Sequence, residues 1–288
     1  MSEKSISEKK GRRDILSIVL RVLVWGAAII TMALLIILLG YILIKGIPHL
    51  TPSLFSLTYN STNVSLLPSL INTVLMVLIS LVIALPLGVF AAIYLVEYAT
   101  RGNGLVKVVG ITAETLSGIP SIIYGLFGMI FFVNVLGWGY SLLAGAFTMA
   151  IMILPLIMRT TQEALQSVPD SFREGSYGLG AGKLRTVFRI VLPYAVPGIL
   201  SGVILAIGRV VGETAALYFT AGTMATLPSN IFSSTRTLAV HMYLLATEGL
   251  HTNEAFATAV VLLVIVIIIN WVSNRLANKL SSGGGQNG

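Results

Sequence analysis

The chain has 288 residues, a net charge of +7, and 10% charged against 56% hydrophobic residues. Soluble domains carry roughly 25% charged residues, so these proportions exclude an ordinary soluble protein and point to one that spans a membrane. There is no cysteine, which excludes disulfides and cysteine-ligated metal sites.

Residues 1–21 are polar and basic. The apolar run that follows, roughly 22–44, exceeds the ~7–15 residues of a signal-peptide core, and no small-residue cleavage site follows it. It reads as a retained membrane helix. With an outer loop rich in Ser, Thr, Asn and Pro (45–70) it forms a first unit over 22–64. A bilayer core about 30 Å thick needs about 20 apolar residues per helix. Further spans fall at roughly 71–96, 113–136, 141–158, 195–216 and 255–273, and the fourth stops sharply at Arg159. The expected fold is an all-α membrane protein of six transmembrane helices, with the main domain at 65–278 and a flexible tail at 279–288.

Lys and Arg set the orientation. The N-terminal segment, the second and fourth connections and the tail hold fifteen of them, against Lys45 and Arg236 in the alternate connections. By the positive-inside rule both termini and the 159–192 loop are cytoplasmic. The basic character is therefore topological and calls for lipid, not nucleic acid. Outside, residues 217–254 form a longer excursion, in which 237–247 has helical apolar spacing and lies at the interface or dips back into the protein. His49, His241 and His251 all fall outside the spans, read as surface or loop histidines, and have no metal-site spacing.

In the third span Ser117, Gly118, Pro120 and Ser121 break or kink the helix and expose backbone groups. Glu114, near its start, is either interfacial or part of a polar network with Ser117 and Ser121 along a path. In the cytoplasmic loop Ser171 and Glu174 have capping-box spacing after Pro169. Gly178, Gly180 and Gly182 end that helix after about two turns. Phe172 and Leu179, seven apart, share a face. A second helical run then reaches Pro193 and enters the membrane. The string GLGAGK is not a phosphate-binding loop: Tyr177 stands at the first glycine and Leu184 at the hydroxyl position. No catalytic triad or carboxylate pair suggests hydrolysis, so the chain is read as no enzyme.

The fifth span carries AIGRVVGETAAL. Arg209 lies about 20 Å along that helix, with Glu213 a turn further on the same face. A mid-membrane arginine costs at least ~2.5–3.5 kcal/mol, so it faces protein or a water-filled path. Gly198, Gly202 and Ala206, and the pair Gly208 and Gly212, have the four-residue spacing that lets helices approach closely. Two readings of Arg209 and Glu213 stay open: an ion pair fixing register, or a waypoint for an oxyanion, whose oxygens match the guanidinium fork. A carboxylate there would accept a hydrogen bond from a protonated oxyanion and repel a fully ionised one. Arg159 is an anchor at the inner face or a second cation on the path.

Two stretches resemble a known family. Glu174, Gly175, Ser176, Gly180, Ile190, Leu192 and Pro193 match the spacing of the EAA loop of binding-protein-dependent ABC importer permeases, with Gly175 and Ser176 in place of two alanines. GRVVGETAAL, TLSGIPSIIYGLFG (115–128) and TAALYFTAG are similar to phosphate importer permeases of the PstA type, over roughly 65–278. The resemblance implies a MetI-like six-helix permease in the prokaryotic plasma membrane, with the EAA residues docking on an ATPase. It also implies a substrate path through Arg209, Glu213, Thr214 and Arg159. The implied partners are a PstB-type ATPase dimer, a PstC-type second permease and an extracytoplasmic phosphate-binding protein. No cofactor is expected on this chain; ATP and Mg belong to the ATPase. Alternatives are a permease for sulfate or molybdate, a membrane sensor of phosphate status, or a secondary transporter.

Overall fold

A computed structural model describes residues 3–100 and 104–283. Every regular element among the described residues is helical. Among the described residues five helices are long and apolar enough to cross a membrane, and a bent pair, taken as one, makes a sixth span.

The first helix, α1 (Glu3–Gly46), leaves its apolar stretch from Ser17 onward uncovered by the rest of the chain, except where its end meets α11 (Thr252–Gly283). There Tyr41 stacks edge-on against Phe256 with ring centroids 5.5 Å apart. Two short 3₁₀ turns and a turn organised by the Asn60 and Asn63 side chains lead to α2 (Leu67–Ile93). A π-helical turn, Tyr94–Tyr98, extends α2 at its far end.

The centre is α5 (Leu142–Gln166), packed against α2 and against α8 (Leu192–Gly212). Met76, Met149, Ile153, Ile157 and Val210 are almost wholly buried at these contacts. Gly198 and Gly202 allow the α5–α8 approach: a Cβ on Gly198 would lie 2.7 Å from Ala164 Cβ, and one on Gly202 2.6 Å from Thr160 Cβ. Ala206 continues that buried seam. Gly208 and Gly212 do not, since nothing lies within 4 Å of a Cβ at either among the described residues.

The third span is broken. Helix α3 (Gly104–Ser117) and the segment begun by α4 (Ser121–Gly128) meet at 101°. Pro120 cannot continue the α3 ladder, and it disfavours helix in Ile119 before it. The Leu116 carbonyl, which Pro120 cannot serve, accepts the Tyr124 hydroxyl at 2.8 Å and the Ile119 amide at 3.2 Å.

Helix ends differ from the sequence expectation at three places. Helix α5 runs seven residues past Arg159, to Gln166, and Arg159 pairs there with Glu163 one turn on, at 3.5 Å. It stops before Pro169. The fifth span does not reach Ala216 as one helix: α8 ends at Gly212 and α9 (Ala215–Thr220) starts after a break. At the C-terminus α11 persists to Gly283, and the remaining tail, 284–288, lies outside the described residues, as does Arg101. Helix α10 (Leu238–Glu248) dips back, burying Leu238, Val240, His241 and Leu245.

Candidate functional site

Arg209 and Glu213 do not pair. Gly212 weakens the helix, and Glu213 adopts an extended backbone (φ −73°, ψ 128°). Its Oε1 accepts the Ala216 amide at 3.1 Å, one of the amides at the start of a helix that lack a partner within it. Glu213 thus reaches forward to α9 and not back to Arg209. Among the described residues Arg209 makes no hydrogen bond or ion pair, and its side chain is half-buried. It lies within electrostatic reach of the Tyr124 hydroxyl.

The break after α8 meets the break before α4. A Cβ on Gly125 would lie 2.8 Å from Ala216 Cα, and one on Gly128 2.7 Å from Thr220 Cγ2. The stretches 115–128 and 208–220, far apart in sequence, therefore close on one another, with Tyr124, Ala216 and Leu217 buried between them. Irregular backbone at this depth is tolerated where it is buried in protein or lines a cavity.

Thr214 lines a different space, a cavity of about 810 Å³ whose walls include Ile122, Tyr218, Tyr243, Phe256 and Ile42. Among the described residues no charged side chain lines it, so its chemistry suits an apolar occupant and not an anion. Arg159 sits on an exposed face of α5 beside Glu163. Glu114 and Ser117 are exposed on α3, and Ser117 Oγ donates to the Ala113 carbonyl at 2.9 Å. Ser121 is half-buried at the start of α4. The structure therefore gathers Arg209, Tyr124, Glu213 and the two breaks, and leaves Arg159 and Glu114 without a contact to them.

The segment between α5 and α8 folds as a hairpin. Helix α6 (Asp170–Gly178) begins directly after Pro169 with no side-chain cap, so the capping box expected from Ser171 and Glu174 does not form. Pro169 itself takes the N-cap position, with its fixed φ setting the entry, and α6 starts two residues earlier. Gly180, at φ +80°, makes the reversal. Helix α7 (Lys183–Thr186) then runs through a π turn into α8 as one 30-residue rod, carrying Ile190, Leu192 and Pro193. Ser176 is buried and shares a 2.8 Å hydrogen bond with Thr186 across the hairpin. Glu174 and Gly175 are exposed. Phe172, Gly175, Leu179, Arg185 and Arg189 line an open groove of about 520 Å³, where Leu179 is 92% exposed.

Two clusters were not read from the sequence. Arg173 forms an ion pair with Glu97 at 2.7 Å, and both side chains are largely covered. The hydrogen bond to Glu97, first among several causes, raises the Arg173 pKa. A carboxylate closing an apolar span and an arginine in the facing loop were the available signal. The second cluster is His241, expected at the surface and found fully buried. It is packed edge-on to Tyr59, whose ring also carries the Arg236 guanidinium 4.5 Å from its centroid. The apolar period of 237–247 buries one face of that helix, and His241 falls on it. Among the described residues no group of His, Asp and Glu could hold a metal ion.

The broken helices, the hairpin between α5 and α8 and the six spans are those of an all-helical, multi-span membrane protein. The chain belongs to the family described as "Binding-protein-dependent transport system inner membrane component", which it matches over residues 66–282. It is 36% identical over 280 residues to "Probable ABC transporter permease protein YqgI" of Bacillus subtilis, covering 89% of this chain and 94% of that one. It is also 36% identical over 205 residues to "Phosphate transport system permease protein PstA 1" of Mycobacterium tuberculosis, covering 70% and 67%. Among solved structures, a chain of the MetNI methionine ABC transporter in an inward-facing form aligns with TM-score 0.61 at 22% identity, over 74% of this chain and 93% of that one. A chain of a bacterial alginate ABC transporter aligns with TM-score 0.64 at 15% identity, over 92% and 97%. These two likenesses bear on the fold, which is that of an ABC importer permease.

Proposed function

We propose that this chain is a permease subunit of an ATP-driven importer of inorganic phosphate, inserted in a prokaryotic plasma membrane with both termini in the cytoplasm. The observation that carries the reading is Arg209: a guanidinium inside a span, beside two helix breaks, with no counter-charge among the described residues. Such a group is costly in a membrane unless it serves a passing anion or a partner. Relatives named as PstA phosphate permeases supply the cargo.

In this account an extracytoplasmic binding protein delivers phosphate, and a second, PstC-type permease completes the path. Arg209 stabilises the anion during passage. Glu213, whose Oε2 has no partner among the described residues, accepts a hydrogen bond from the protonated oxygen that phosphate carries at neutral pH. Sulfate, fully ionised, finds only repulsion there. Arg159, already paired with Glu163, adds a weaker positive field nearer the cytoplasm. The exposed face of α6, with Glu174, Gly175 and Leu179 around the groove, docks on a separate ATPase dimer that binds the ATP and Mg. Binding must remain weak enough for release.

The test is uptake of labelled phosphate and labelled sulfate into liposomes holding the whole complex, with ATP trapped on the cytoplasmic side. ATP-dependent accumulation of phosphate over sulfate is expected, with sulfate competing better in Glu213→Gln. Preferential sulfate or molybdate uptake would reassign the cargo. ATP-independent uptake would make the chain a secondary transporter, and no uptake at all would leave a sensor.

A further inference from the structure

The guanidinium of Arg173 makes six close contacts that join three elements. Its Nη2 donates to Glu97 Oε1 at 2.7 Å and its Nε to both Glu97 oxygens at 3.2 and 3.4 Å. Nη2 also donates to the Leu165 carbonyl at 2.9 Å. Nη1 donates to the Val168 carbonyl at 2.7 Å and to Asp170 Oδ1 at 3.2 Å. Leu165 belongs to the last turn of α5, whose carbonyls have no partner within the helix. Glu97 closes α2 through its π turn. One side chain on the first turns of α6 is therefore tied to the cytoplasmic ends of two spans.

Apolar packing does little of this work. Helix α6 has nine residues, of which Ser176 alone is buried, and it includes Gly175 and Gly178. A helix so short and so thinly packed is marginal by itself. Ser176 ties it to α7 through Thr186, and Arg173 ties it to α2 and α5. With both charges largely covered, loss of either partner leaves the other charge stranded, which is far costlier than loss of an exposed pair.

We propose that Glu97 and Arg173 are positioning residues for energy coupling: they fasten α6 to the ends of α2 and α5, so that a displacement of α6 moves both spans as one rigid unit. This rests on the reading of α6 as the ATPase-docking segment. The geometry needs the planar fork. Lysine at 173 keeps the charge but cannot reach Glu97, Leu165 and Val168 together. The cargo plays no part in the argument.

The chain contains no cysteine, so paired spin labels can be placed in it without background from the chain itself, in a complex whose partners carry no reactive cysteine. Labels at Tyr94→Cys on the α2 extension and Gly178→Cys at the end of α6 occupy exposed positions, and a Cβ on Gly178 meets nothing within 4 Å. In the assembled complex with its ATPase, the label distance is expected to stay constant when ATP is added. In Arg173→Lys and Glu97→Gln it is expected to shift or broaden with ATP, while ATP hydrolysis continues. Labelled phosphate taken up per ATP hydrolysed should fall by about tenfold or more in both variants, since lysine cannot span the fork's contacts and glutamine strips the covered guanidinium of its counter-charge. A distance that changes with ATP in the parent complex would overturn the proposal. So would unchanged uptake per ATP in both variants. If the parent complex takes up no phosphate, the cargo assignment fails, and the distance measurement still decides the coupling role. A merely structural pair would lower the yield of complex and leave the distance and the ratio per assembled complex unchanged.

Discussion

Gly202→Ala isolates the close approach of α5 and α8, the contact that carries the Arg209 helix. The added methyl would stand 2.6 Å from Thr160 Cβ and closer still to its Oγ1. Carbon atoms rest at about 3.5–4.0 Å, so the helices must part by about 1 Å. Rotation of Thr160 does not relieve this, because its Cβ is fixed to the backbone and its hydroxyl already donates to the Leu156 carbonyl at 2.9 Å. Overpacking of this kind costs about 1–3 kcal/mol. At roughly 2–4 °C per kcal/mol for domains somewhat smaller than this one, the unfolding temperature of the purified chain in detergent should fall by several degrees. Gly208→Ala is the matched control: nothing lies within 4 Å of its Cβ. There alanine gains about 0.5–1 kcal/mol of helix propensity, and the temperature should hold or rise. The swap Gly202→Ala with Thr160→Gly should recover part of the loss. If Gly202→Ala melts at or above the parent, the close seam is wrong, and with it the placement of Arg209 against the rest of the bundle.

Other substitutions probe the hairpin and the outer cluster. Gly180→Ala forces a side chain into φ +80°, at about 1–2 kcal/mol. Less ATPase should co-purify per permease, with Gly180→Asn milder. His241 lies on α10, outside the spanning helices; burial first, then the Arg236 charge, holds its pKa down to about 3. The Val64 backbone opposes that shift from short of hydrogen-bond geometry. The unfolded ring titrates near 6.5, so as pH falls the unfolded chain takes the proton first. Stability from this residue is therefore full above about pH 6.5 and drains between about 6.5 and 3, at up to about 1.4 kcal/mol per pH unit. The drop in unfolding temperature from pH 7 to pH 5 should be smaller in His241→Phe than in the parent.

Six spans and the short helix α6 were legible in the sequence because hydropathy and glycine act locally. The Gly198–Gly202–Ala206 seam was legible too, since four-residue spacing of small residues has few other uses in a membrane helix. What lay beyond local pattern was partner choice. Glu213 is four residues from Arg209, yet it is drawn to the Ala216 amide, because a freed helix start competes for the carboxylate. The same limit hid Glu97 and Arg173, which are 76 residues apart and meet only through the packing of α2 and α5. His241 looked external because its neighbours by sequence lie in an outer excursion. Gly208 and Gly212 copy the spacing of the buried seam but face no described neighbour, and spacing alone does not say which face is covered.

The central claim is that the Arg209 guanidinium serves an anion in transit. The most direct measurement is ATP-driven uptake of labelled phosphate into liposomes by complexes carrying Arg209→Ala, Arg209→Lys or the parent chain, normalised to assembled complex and to basal ATP hydrolysis. The account predicts that alanine abolishes uptake with assembly intact and that lysine retains a fraction of it. Uptake at the parent rate by the alanine variant would contradict it.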